Sequence, residues 1–229
     1  MKRMATVLGV IAASAAAPTL ADVFETYESL TEGALGGAFS LNGVHYHSAN
    51  AVNGVNVDGD PFGPTDLGNT LIIENATLFY NDFPAYGSPI NSLTFGSAWV
   101  PGDNLSIGVL ASVLMDLDEP GAAASLDLAF YENGPWGGIQ YYLDAVDNGV
   151  VVATDTFTIS DLGGRDNATF RTLTVSAPHF DQLHLYAELN GTYTNPRGMI
   201  DNLSVTAVPE PASTGLMGLA AALLIRRRR

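Results

Sequence analysis

The sequence predicts an all-β domain, an antiparallel two-sheet β-sandwich, and three observations carry that prediction. Apolar residues recur at every second position through several stretches, Gly/Pro/Asn/Asp clusters punctuate those stretches, and no interior stretch sustains a capped 3.6-residue apolar period. Ten or so short strands without helical crossovers bury their apolar faces as two stacked antiparallel sheets. The chain has 229 residues, no cysteine, and 9 basic against 24 acidic residues. Without cysteine there is no disulfide scaffold, thiolate zinc site or cysteine nucleophile. The net charge of −15 argues against a nucleic-acid partner, because phosphate neutralisation needs Lys and Arg.

Lys2 and Arg3 open the chain, an apolar run covers 7–17, and Thr19 and Ala21 are the small residues of a cleavage site. This is the pattern of a secretory signal peptide over residues 1–21, cut by signal peptidase after Ala21. The apolar run is too short to span a bilayer comfortably.

Residues 22–207 form the sandwich. Val23, Glu25 and Tyr27 alternate at its start, and the stretch from Gly33 to Gly68 reads as rich in loops. Within it, His45 and His47 share one strand face, a spacing that can ligate zinc or copper, although no third ligand is identifiable. Asn56, Asp58 and Asp60, with Asp66 nearby, offer calcium-type oxygens around a glycine; the same residues are ordinary turn formers. Leu93, Phe95 and Trp99 align on one strand, and Leu126, Leu128 and Phe130 on another. Asp118-Glu119-Pro120-Gly121 and the segment 133–138 read as turns, and Asp116 and Asp118 project from one face. Asp147-Asn148-Gly149 joins strands 139–146 and 150–159 as a hairpin, since Asn-Gly accepts positive φ. Leu183, Leu185, Ala187 and Leu189 alternate with His184, Tyr186 and Glu188.

The final strand, 198–205, sets Asp201 in parity with Met199, Leu203 and Val205, and Glu25 has a similar place on the first strand. A carboxylate on an apolar face needs backbone donors, an arginine or a metal. Between residues 22 and 208 there are three basic and 23 acidic residues, so the domain repels anionic surfaces and attracts divalent cations.

No Gly-x-Ser-x-Gly, His-Glu-x-x-His, phosphate-binding loop or dinucleotide fingerprint occurs. The sequence therefore points away from an enzyme. Trp99, Trp136, Tyr141 and Tyr142 could stack on sugar rings or serve as core and cross-strand pairs. Trp136, within a Gly/Pro turn, is the ligand-binding candidate.

The C-terminus reads Val208-Pro209-Glu210-Pro211-Ala212-Ser213, then twelve apolar or small residues at 214–225, then Arg226, Arg227, Arg228 and Arg229. As a helix those twelve residues rise about 18 Å, short of a bilayer core, so they suit a transient transmembrane anchor stopped by cytoplasmic arginines. The order Pro-Glu-Pro, short helix, Arg tail at 208–229 resembles a PEP-CTERM sorting signal. That resemblance implies a bacterial envelope or extracellular-matrix protein sorted by an exosortase, a membrane cysteine transpeptidase-like enzyme, and associated with exopolysaccharide. The closing Ile200-Asp201-Asn202-Leu203 strand resembles the jelly-roll modules of such proteins and of carbohydrate-binding modules. By that resemblance Glu25 and Asp201 would ligate a structural calcium. The readings left open are a non-enzymatic surface protein, a glycan-binding module and, resting only on abundant carboxylates, an extracellular hydrolase.

Overall fold

The computed structural model describes residues 22–48, 54–55, 61–62, 71–75, 91–100, 105–110, 112–130, 138–158, 169–194 and 197–208, all within one compact unit, Ala21–Val208. Those residues are strand and turn throughout. The strands are β1 (Val23–Glu25), β2 (Gly33–Gly36), β3 (Ala38–Leu41), β4 (Val44–Ser48), β5 (Gly54–Val55), β6 (Pro61–Phe62), β7 (Leu71–Asn75) and β8 (Asn91–Val100). They continue as β9 (Leu105–Leu110), β10 (Ser112–Phe130), β11 (Ile139–Asp147), β12 (Val150–Thr158), β13 (Thr169–Leu189), β14 (Thr192–Thr194) and β15 (Arg197–Ala207). All described pairings are antiparallel except the single Thr194–Val55 pair.

Two strands belong to both sheets. Up to Leu117, β10 lies between β4 and the C-terminal half of β13, and this sheet continues β3-β4-β10-β13-β11-β12. Beyond Gly121, β10 lies between the N-terminal half of β13 and β15, and the second sheet runs β13-β10-β15-β8-β7-β2. The inward parity of β10 changes at the crossing. Val113 and Met115 are buried before it, Ala124, Leu126 and Leu128 after it, and register irregularities occupy the interval from Asp116 to Ala123. Strands that switch sheets do so through such bulges. Leu126, Leu128, Leu173 and Val175 then meet Met115, Tyr141, Leu143, Leu183 and Leu185 in one core cluster.

The corner is a correction to the sequence reading. Asp118 to Gly121 is not a hairpin turn; Pro120 and Gly121 mark a bend within a continuous strand. Gly121 is needed there for space, because a Cβ would overlap the Phe180 ring and come within 2.9 Å of Val205 Cγ1. The expectation of uniformly short strands fails for the same reason, with β10 at 19 and β13 at 21 residues. Within the stretch from Gly33 to Gly68 the described residues include the strands β2 to β6. Its clearest hairpin turns at Asn42 and Gly43, with φ of 45° and 83°, an Asn-Gly signal as strong as the one at Asn148 and Gly149 (φ 49° and 79°).

Among the described residues no helix is long and apolar enough to cross a membrane. The signal segment 1–21, the turns at 56–60 and 131–137, and the tail 209–229 lie outside the described residues. With them fall Asp66, Trp136, Pro209, Glu210, Pro211 and Arg226 to Arg229.

Candidate functional site

The domain's first and last strands are neighbours. β1 pairs with β15 in the register Val23–Val205, Phe24–Ser204 and Glu25–Leu203. The parity of β15 is broken at Asn202, whose φ is 49°. Before it Ile200 faces the core with Leu128, and after it Leu203 and Val205 do. Asp201 therefore does not share the Leu203–Val205 face through simple alternation, as the sequence reading had it; it sits at the bulge. It is nevertheless fully buried, and its Oδ1 accepts the Asn202 backbone N–H at 2.8 Å.

Glu25, at 2% exposure, is buried on β1 opposite Leu203. Burial raises its carboxyl above the ordinary range, an effect opposed by the Asn42 side-chain amide that donates to its Oε1. Asn42 is delivered by the β3–β4 turn, so the hairpin that brings Tyr46 inward also supplies the donor. Tyr27 adopts φ 59°, which turns its ring into the core at the exit of β1. Its hydroxyl lies 3.2 Å from the Tyr46 hydroxyl, and the rings meet edge to face at 5.9 Å. Burial drives the Tyr27 phenol well above its usual value, and Tyr46, Asp201 and Glu25 push it further in the same direction. Burial likewise raises Tyr46. Glu25 and Asp201 thus both act on one neutral phenol, at the seam where the two ends of the domain meet. Among the described residues no group of three or more His, Asp or Glu is placed to hold a metal.

Tyr46 and Asn42 were absent from the sequence-level site. Their signals were present: Tyr46 has the opposite parity to His45 and His47, and Asn42 precedes a glycine.

On the outer face of the first sheet, each imidazole meets a carboxylate instead of its neighbour. His45 Nε2 lies 2.7 Å from Asp118 Oδ1, with its Nδ1 2.6 Å from Ser40 Oγ. His47 Nε2 lies 3.1 Å from Asp116 Oδ2, and Gln182 donates to Asp116 Oδ1 at 2.6 Å. Further across, Tyr142 stacks on Tyr186 at 4.7 Å and 3°, and His184 tilts against Tyr186 at 4.7 Å and 31°. Burial lowers the His184 imidazole pKa, partly offset by Asp144. Tyr141 points the other way, fully buried and stacked on Phe157 at 5.2 Å, so it is a core residue and no sugar platform. Phe24 is the aromatic among the described residues left mostly in water, at 62% exposure.

No curated protein matches the sequence. Among solved structures, the chain is similar to the K2 cleaved adhesin domain of Lys-gingipain, with 16% identity, a TM-score of 0.45, and coverage of 81% of this chain and 99% of that one. It is similar also to the CBM27-1 domain of Caldicellulosiruptor saccharolyticus, solved with mannohexaose, at 10% identity and a TM-score of 0.46, covering 82% of this chain and 97% of that one. At the end of the chain, where the sheet gives way to Pro-Glu-Pro, residues 207–229 match the PEP-CTERM protein-sorting motif, which makes this β domain the passenger of a sorting signal for export.

Proposed function

We propose that the chain is a non-enzymatic bacterial surface protein, delivered to the cell envelope or extracellular matrix by an exosortase and associated there with exopolysaccharide. The observation that carries this reading is the sorting motif at 207–229 following directly on the last strand. The Ala207 N–H donates to Asp22 Oδ1 at 3.1 Å and the Val208 N–H to the Pro120 carbonyl at 2.9 Å. Both bonds are made by the residues at which the motif begins. The apolar stretch 214–225 would hold the precursor in the membrane until Pro209-Glu210-Pro211 is processed. Mass spectrometry of surface protein from an exosortase-bearing host tests this: peptides should end near Pro211. Intact Arg226 to Arg229 on the mature protein would overturn it.

A structural calcium at Glu25 and Asp201 belongs to the same reading. The donor set is oxygen-rich and suits a hard cation, with two buried carboxylates that both act on the Tyr27 hydroxyl. Two acids alone are too few, so backbone carbonyls or water would complete the shell. Such an ion would offset the burial of both charges and fasten β1 to β15. Calcium should then raise the melting temperature by linkage, and Asp201→Asn should abolish that gain. The second reading, a glycan-binding module, is favoured by the exposed Phe24 ring.

A further inference from the structure

The outer face of the second sheet holds a row of residues that strand register alone assembles. Phe24 stands opposite Ser204, Ser204 opposite Ser125, and Ser125 opposite Thr174. A second row sets Thr206 opposite Ala123 and Ala123 opposite Ser176. The Ser and Thr residues of both rows border an open trough of about 330 Å³ whose polar side chains are the hydroxyls of Ser125, Thr174, Ser176, Ser204 and Thr206, with no charged residue in its lining. Phe24 stands outside that lining, next to Ser204, at the edge of a neighbouring cleft with Asp22, Asp118 and Glu119. Hydroxyls on such a face repeat about every 4.8 Å across strands and about every 7 Å along them. Each hydroxyl can donate or accept. Phe24 closes the row at the β1 edge.

An exposed aromatic ring beside an uncharged, hydroxyl-lined trough matches a ligand with both an apolar face and many hydroxyls. That is a sugar chain. The charge of the domain selects further: three basic against 23 acidic residues between 22 and 208 repel a polyanion. Resting on the glycan-binding reading, we propose that this trough binds a neutral polysaccharide, with Phe24 stacked against a sugar ring and the Ser/Thr hydroxyls exchanging hydrogen bonds with its hydroxyls. Uronate-rich polymers are excluded by charge.

The test is affinity electrophoresis of the full chain in detergent, through gels containing a mannan, a xylan, a β-glucan or polygalacturonate. At least one neutral polymer should retard it, with little change between about 50 and about 500 mM salt, and polygalacturonate should not. Phe24→Ala should weaken retardation about tenfold or more, as removal of an aromatic anchor does. Its melting temperature should stay unchanged, because the ring is already in water. Ser176→Lys should block the trough independently of Phe24. Retention by no neutral polymer would overturn both the glycan reading and this site. Neutral binding that survives both variants but is lost in Tyr142→Ala or Trp136→Ala would overturn the site and keep the glycan reading. Preference for polygalacturonate would overturn the ligand class.

Discussion

Two regions hold the sandwich together by different physics. At the corner, β10 and β13 cross between sheets, and what fixes them is shape: Gly121 leaves room for the Phe180 ring, which is fully buried. At the seam, β1 meets β15, and what fixes them is a set of buried polar groups, Glu25, Tyr27, Asn42, Tyr46 and Asp201. Packing without polar atoms has no titratable or ionic dependence, whereas buried carboxylates and phenols respond to protons and cations. The Gly121–Phe180 contact should thus be indifferent to solution conditions and the seam sensitive to them.

The largest expected effect is steric. Gly121→Val forces β10 away from Phe180 and Val205, an overpacking cost of about 1–3 kcal/mol or more. In a domain of this size that lowers the melting temperature by roughly 3–10 °C. Thermal melts in calcium and in chelator should show the same loss. A loss that depended on calcium would break the contrast between the regions.

Tyr46→Phe comes next. It strips the Tyr27 hydroxyl of its partner in a fully buried place, at a cost of about 1–3 kcal/mol. The double variant Tyr27→Phe/Tyr46→Phe should recover part of that, because no orphan hydroxyl remains. A double-mutant cycle by denaturant unfolding measures the coupling; additive losses would show that the two hydroxyls act independently.

Glu25→Gln should have opposite consequences in two buffers. The folded-state carboxyl is raised above its unfolded value, so the folded protein binds the proton more tightly. Its contribution to stability is fully present below the unfolded pKa and is lost as pH rises through the folded one. With chelator, Glu25→Gln should flatten this decline and melt slightly higher at neutral pH. With calcium, the same variant should lose the ion's stabilisation and melt lower. Equal behaviour in both buffers would remove Glu25 from the proposed ion site.

The smallest effect belongs to His184, outside both regions. Its folded pKa is lowered from 6.5. It stabilises the fold fully above about 6.5 and loses that contribution as pH falls through 6.5 toward the lower folded value. Stability between roughly pH 5 and 6.5 should therefore rise with pH in the wild type, and less so in His184→Gln.

Most of the fold was legible because its signals are local. Alternation marked the buried faces of β10 and β13, and Asn148-Gly149 marked the β11–β12 turn, since period two and positive φ are properties of a few consecutive residues. The errors lie where two strands decide together. Pro120 and Gly121 carry turn chemistry, yet the chain only bends there, because long pairings on both sides keep it in strand. The sequence by itself determined the all-β class, the acidic character of the domain, the sorting motif after its last strand and the burial of Glu25. Only the tertiary structure decided that Asn202 breaks the parity of the final strand, that Asn42 and Tyr46 join the seam, and that Phe24 stands beside a row of hydroxyls. Register between strands distant in sequence makes those neighbours, and no stretch of adjacent residues encodes it.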